Sequence, residues 1–304
     1  MSVGRITNLM TTNQVLSDIN QAQYRLNVTQ EQLSSGKKIL QPSDDPYGAT
    51  RAVDLNGELS GLSTYASNIT DGTAWTTASD TALQSIQNEV QRVRELVVAA
   101  GNGTNSASNL QAINAEVTQL TSAIKQDANT KYNGQYLFSG SATGTAPYTT
   151  GSDTYQGNTG AVTRAIGPGT TLQVNADLSS VLGSGAGAND GKLLNVLADI
   201  SAHLTSGSAS DVAALSSTDL QGLDDNLSTL EQAQTSVGAT EDRLQLASTR
   251  ISSLQTSDTA TLSNVQDADY ATTLTNFSNE QAAFTAALKA SANIVQSSLM
   301  DFLQ

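Results

Sequence analysis

The chain has 304 residues, of which 14% are charged, and its formal net charge is -14 with a pI near 4.2. With only 14 Lys and Arg residues, it lacks the basic clusters that bind nucleic acid or an anionic membrane surface. It contains no cysteine, which excludes disulfides and thiolate metal ligands. The charge content is well under the roughly 25% of an ordinary soluble domain, and this predicts a surface that neighbouring molecules cover.

The two ends of the chain carry a seven-residue repeat that is typical of a coiled coil diluted by glutamine. Because both ends show the repeat, we predict that the N- and C-terminal helices pair with each other. The residues predicted to pack in this pairing, or between subunits, are Leu9, Leu16, Ile19, Leu26, Leu33, Leu274, Phe277, Phe284, Leu288, Val295 and Phe302.

The stretch QPSDDPYGAT, residues 41–50, places two adjacent carboxylates directly before a proline. Paired carboxylates can act in acid–base or metal chemistry, but no histidine or third acid lies nearby in the sequence. Pro46 suits the first position of a helix, and Asp44 or Asp45 then suits its N-cap. We therefore interpret Asp44, Asp45 and Pro46 as a structural joint, and the sequence leaves open which aspartate is the cap.

Two long amphipathic helices are predicted next, separated by a break at Gly101 and Gly103, which indicates an antiparallel hairpin. In the first of them, Arg92 and Arg94 flank Val93 of the apolar face. They are either an ordinary solvated surface or a contact between subunits. Further helices are predicted for 193–204 and from residue 211 to about 255.

Glycine-rich sequence with short β-like runs, at 136–138, 160–166 and 171–174, lies between residues 134 and 191. The predicted fold is therefore mainly α: an elongated, nested helical coiled-coil rod with a small inserted β domain. Its predicted domains are a terminal helical core (1–60 with 260–304), a helical rod (61–133 with 192–259) and an outward β domain (134–191).

Little in the sequence predicts chemistry. His203 is the single histidine, and its nearest acid at helical spacing is Asp199, so we interpret it as an ordinary surface or half-buried residue. No catalytic residue, cofactor or metal site is predicted, and we expect that the protein is not an enzyme. No apolar signal-peptide region and no membrane span are predicted either.

Several motifs match one known family. The chain resembles the flagellin superfamily of bacterial flagellar axial proteins in LSSGK (33–37), SDDP (43–46) and the helix and turn at 91–106. Within that family it is most similar to the hook-associated branch at the hook–filament junction, and flagellin, the bulk filament subunit, is the alternative. The segments that favour this branch are 132–140, 146–148, 155–158 and the ending 298–303, where Met300 replaces the usual leucine.

The resemblance implies an extracellular structural protein of the flagellum, exported uncleaved by the flagellar type III apparatus. It implies a homo-oligomeric ring in a tubular assembly, with a neighbouring hook-associated protein and flagellin as partners. An export chaperone would guard the C-terminal helix before export.

Overall fold

The structure, a computed structural model, describes residues 8–149 and 154–302. Its helices are α1 (Asn8–Ser35), α2 (Pro46–Ala100), α3 (Ala107–Ala128), α4 (Ser179–Leu182), α5 (Leu193–Ser206), α6 (Ala209–Ala214), α7 (Leu220–Gln266) and α8 (Tyr270–Phe302), with a π-helical segment, Leu215–Asp219, between α6 and α7. The strands are β1 (Lys131–Tyr132), β2 (Gln135–Tyr136), β3 (Thr163–Gly167) and β4 (Thr170–Gln173). The predicted mainly α class is confirmed.

The described residues form two compact units, whose boundaries fall within α2 and α7. The first unit contains the residues up to Gly61 and those from Leu254 onward, and the second is Leu62–Ser253. The predicted division into three domains placed similar boundaries near residues 60 and 260, and it assigned 134–191 to a domain of its own.

In the first unit, α1 packs along α8, as the pairing of the terminal helices predicted. α1 ends at Ser35 because Gly36 adopts a φ of 69°, a left-handed conformation that stops the helix. The loop after it pairs with the segment before α8: Lys38 N donates to Gln266 O at 2.8 Å, and Ala268 N donates to Gly36 O at 2.9 Å. The two helices are therefore antiparallel.

Besides a smaller apolar cluster of Leu62, Ile69, Leu172, Leu244 and Ile251, the second unit contains one large apolar core. Trp75, Ile86 and Val93 of α2 are fully buried in it. α3 packs against α5, and the predicted hairpin between α2 and α3 turns between Ala100 and Ala107. The same cluster includes side chains of α3, α5 and α7, among them Val117, Leu197 and Leu223.

The glycine-rich insertion forms two small antiparallel hairpins, β1–β2 and β3–β4. Leu137, Phe138 and Tyr148 from this segment are buried in the core that α2, α3, α5 and α7 share. The β3–β4 hairpin lies against α2, where Arg164 Nε contacts Asp71 Oδ2 at 2.7 Å. The insertion thus contributes to the core of the second unit.

Candidate subunit interface

One face of α1 and one face of α8 form the seam between the terminal helices. The α1 positions Val15, Ile19, Ala22, Leu26, Thr29 and Leu33 are buried or half-buried, and they follow alternating four- and three-residue steps. The α8 positions Thr273, Phe277, Glu280, Phe284, Ala287 and Ser291 follow the same steps and are likewise buried or half-buried. Both sets have the heptad spacing of a two-helix coiled coil.

The other half of the predicted repeat faces outward. Leu16 is 53% exposed, and Leu274 and Leu288 are 45% and 44% exposed. We call the set Leu16, Gln23, Gln30, Leu274, Gln281 and Leu288 the outer stripe, and each of its residues is exposed. The side chains of Leu9, Val295 and Phe302 lie outside the described residues.

The sequence prediction treated the apolar repeat of each helix as one packing surface, whereas the structure divides it into two. Ile19, Leu26, Leu33, Phe277 and Phe284 belong to the seam, and the described leucines at the other heptad position belong to the outer stripe. Ala22 and Thr273, the most buried seam residues, were missed because a small or polar residue gives no apolar signal. Their burial follows from the partner helix.

The QPSDDPYGAT stretch forms a doubly capped turn into α2. Asp45 Oδ1 accepts a hydrogen bond from Gly48 N at 2.9 Å, which is N-cap geometry, with Pro46 as the first residue of the helix. Asp44 Oδ2 accepts from Leu40 N and Gln41 N at 3.0 and 2.8 Å and so closes the preceding turn. The two aspartates therefore have separate structural roles.

Gly48 is required at this turn for a steric reason. A Cβ atom at this position would lie 2.5 Å from Asp45 Oδ2 and 2.6 Å from Ile39 Cδ1. The close approach brings the buried Ile39 side chain against the first turn of α2. The start of α8 is capped as well, since Asp269 Oδ1 accepts from Ala271 N at 2.9 Å.

Both arginines predicted as a possible subunit contact have partners within the chain. Arg92 binds Glu95 at 2.9 Å and Glu116 of α3 at 2.8 Å. Arg94 Nε lies 2.6 Å from Asp224 Oδ1 of α7. These hydrogen bonds to carboxylates raise the pKa of each guanidinium. The arginines thus tie α2 to two neighbouring helices, and a contact between subunits stays a prediction.

His203 pairs with an aspartate that the sequence did not indicate. Its Nδ1 atom lies 2.7 Å from Oδ2 of Asp219, which belongs to the π-helical segment. Within the part of the chain that the structure describes, no group of three or more His, Asp or Glu residues could hold a metal ion. No helix in those ranges is long and apolar enough to cross a membrane.

Comparison with known proteins matches both ends of the sequence to one family. Residues 6–143 match the bacterial flagellin N-terminal helical region, and residues 220–303 match the bacterial flagellin C-terminal helical region. The matched regions contain α1 and α8, and thus both helices of the seam.

Individual relatives extend over nearly the whole chain. Flagellar hook-associated protein 3 of Salmonella typhimurium is 27% identical over 302 residues, covering 94% of this chain and 95% of that protein. Flagellin of Bacillus subtilis is 29% identical over 280 residues, covering 90% of this chain and 88% of that protein.

A solved structure of a flagellar hook-associated protein from Vibrio parahaemolyticus shares the fold. Its TM-score is 0.66 at 23% sequence identity, over 74% of this chain and 100% of that chain. Two family matches, the full-length relatives and the shared fold agree with each other. The chain belongs to the flagellin family.

Proposed function

We propose that this chain is a structural subunit of the extracellular bacterial flagellum and acts as the adaptor between hook and filament. The observation that carries the proposal is the relation to Flagellar hook-associated protein 3 of Salmonella typhimurium, which covers 94% of this chain and 95% of that protein. The fold shared with the Vibrio parahaemolyticus hook-associated protein supports it.

The alternative is flagellin, the bulk filament subunit. The similarity to Bacillus subtilis flagellin over 90% of this chain favours that function. The two family regions that the ends of this chain match do not by themselves distinguish the two kinds of protein. The distinction is the place of the subunit in the flagellum, and this can be observed directly.

Subunits would assemble through the outer stripe. In an antiparallel coiled coil, equivalent flanking positions of the two helices are neighbours, so the α1 and α8 parts of the outer stripe form one surface on the same side of the pair. Leu16, Leu274 and Leu288 supply the apolar area of this surface, and Gln23, Gln30 and Gln281 supply hydrogen-bonding groups. An exposed apolar surface rimmed by polar groups is typical of a protein interface.

The partners would be further copies of this chain in a ring, a hook-side associated protein and flagellin. Export would proceed through the flagellar type III apparatus, with a chaperone on the C-terminal helix. The role is mechanical and involves no catalysis or cofactor. Residues 134–191 would face outward from the tube, and Arg92 and Arg94, which remain 50% and 43% exposed, are candidate contacts for a neighbouring subunit.

Gold-labelled antibody against residues 140–185, imaged by electron microscopy on intact flagella, tests the proposal. We expect label in one band where hook meets filament. Label along the whole filament would identify the subunit as flagellin and overturn the adaptor function. Antibody absorbed beforehand with the purified chain provides the control and should leave the flagella unlabelled.

A further inference from the structure

An ion pair crosses the seam between the terminal helices. Arg25 Nε of α1 lies 3.1 Å from Glu280 Oε2 and 3.3 Å from Glu280 Oε1 of α8. The side chains of Arg25 and Glu280 are 51% and 25% exposed. Glu280 is the charged residue among the seam positions of α8, where coiled coils ordinarily place apolar side chains.

Backbone hydrogen bonds of Lys38 and Ala268 join the two helices at one end, but the other side chains along the seam specify its register weakly. A heptad pattern repeats every seven residues, so two such helices can slide past each other by seven residues and still bury a similar seam. Small seam residues such as Ala22, Ala287 and Ser291 make a shifted pairing sterically easier. A polar or charged residue at one seam position is a known means of fixing coiled-coil register at some cost in stability.

The sequence of α1 makes Glu280 sensitive to such a shift. Asp18 lies seven residues before Arg25 and Gln32 lies seven residues after it, so all three occupy the same heptad position. A shift of one heptad would therefore place Glu280 beside either Asp18 or Gln32. In one direction an attraction becomes a repulsion between two carboxylates, and in the other the opposite charge is lost.

We propose that the Arg25–Glu280 pair, together with the backbone hydrogen bonds at the loop end, sets the register in which α1 and α8 associate. Within the proposed function, on which this second part rests, the pair also determines which outer-stripe residues stand side by side. In the observed register, the antiparallel course sets Leu16 level with Leu288, and Gln23 level with Gln281. A shifted register would present a different surface to a neighbouring subunit.

Disulfide cross-linking measures the register. Because the chain contains no cysteine, only the two introduced cysteines can form a disulfide within it. Ile19→Cys with Ala287→Cys joins the helices in the observed register. Leu26→Cys with Thr273→Cys reports the shift that brings Glu280 to Asp18, and Leu26→Cys with Ala287→Cys reports the opposite shift. Each pair is oxidised in the full-length chain, both purified and in isolated flagella, and intramolecular product is quantified on non-reducing gels.

Charge reversal then tests the cause. Glu280→Lys should repel Arg25 and attract Asp18, and so lower the ratio of observed-register to shifted product about fivefold, in line with the strength of partly exposed ion pairs. Arg25→Glu combined with Glu280→Lys should recover part of the ratio, because the reversed pair again favours the observed register while the lysine at position 280 is still attracted to Asp18 in the shifted one. Lys289→Glu, an exposed charge reversal on the same helix, is the matched control and should leave the ratio unchanged.

The outcomes separate this proposal from the proposed function. An unchanged ratio in Glu280→Lys, no recovery in the double variant, or no Ile19–Ala287 cross-link in either sample of the otherwise native chain would overturn the register proposal. If Glu280→Lys does not accumulate, Glu280→Gln replaces it as the test. The proposal then requires the ratio of observed-register to shifted product to fall about twofold. A charge-dependent register together with antibody label along the whole filament would contradict only the adaptor function.

Discussion

His203 Nδ1 and Asp219 Oδ2 lie 2.7 Å apart and join α5 to the π-helical segment before α7. The Asp219 side chain is 5% exposed, whereas that of His203 is 29% exposed. A π-helical turn places one extra residue in a helix and so alters which side chains face inward. Here it places a carboxylate in the interior, against the single histidine of the chain.

Removing this histidine should destabilise the second unit. His203→Ala deprives the buried Asp219 carboxylate of its partner, and we expect the free energy of unfolding to fall by about 2 to 3 kcal/mol. Urea denaturation followed by circular dichroism measures the change. Asp199→Ala, an exposed acid on the same helix, is the control and should change it by less than about 0.5 kcal/mol. Equal effects of both substitutions would contradict a structural role for the pair.

Glu89 should make stability depend on pH. Burial, with a smaller contribution from the charge of Asp127, raises the pKa of Glu89 to about 7. Its Oε2 atom is buried and has no hydrogen-bond partner among the described residues. Because folding raises the pKa of Glu89, the protonated side chain favours the folded state. Its contribution to stability is complete below the unfolded pKa of 4.5 and is lost as the pH rises through 7.

Glu89→Gln tests this directly, because glutamine stays neutral at every pH. We expect the variant to be more stable than the native chain by about 1 to 2 kcal/mol at pH 8, and nearly equal to it at pH 4.5. Thermal unfolding across this pH range is the measurement. Glu231→Gln, an exposed substitution on α7, should show no such trend. A parallel pH profile for Glu89→Gln and the native chain would refute the assignment.

The outer stripe should be needed for assembly and not for the fold of one chain. Leu16→Glu and Leu288→Glu each place a charge on an exposed apolar site, and we expect at least a tenfold loss of the subunit from flagella, with little change in the helix content of the purified chain. Immunoblots of isolated flagella measure incorporation. Gln21→Glu and Ala286→Glu, exposed on the same two helices outside the outer stripe, should assemble normally. Normal incorporation of both leucine variants would show that copies meet elsewhere.

The cap of α2 should depend on an oxygen acceptor at residue 45. Asp45→Ala removes the acceptor for Gly48 N and should lower the free energy of unfolding by about 1 kcal/mol, whereas Asp45→Ser should retain most of it. Hydrogen exchange of the amides at 47–49 reports the local opening. Asp54→Ala, an exposed acid later in α2, is the control. If these amides exchanged as fast in Asp45→Ser as in Asp45→Ala, the loss of the cap would be excluded as the cause of the faster exchange.

Much of this architecture was predictable because it depends on local pattern. The heptad repeats at both ends predicted paired terminal helices, and Gly101 with Gly103 predicted the α2–α3 hairpin, which the structure has between Ala100 and Ala107. The placement of Pro46 after two aspartates predicted a capped helix start. In each case the information lies within a few residues, where periodicity, backbone preference and capping act.

Other features depend on residues far apart in the chain, and only the tertiary structure decided them. Which half of the repeat is buried depends on how α1 packs along α8, a helix more than 230 residues later in the chain. The partner of His203 is Asp219 and not the nearer Asp199, because a π-helical turn reorients the chain. The sequence by itself determined that the terminal helices are amphipathic and suited to pairing. The choice among several compatible pairings came from long-range packing and electrostatics, which a local pattern does not contain.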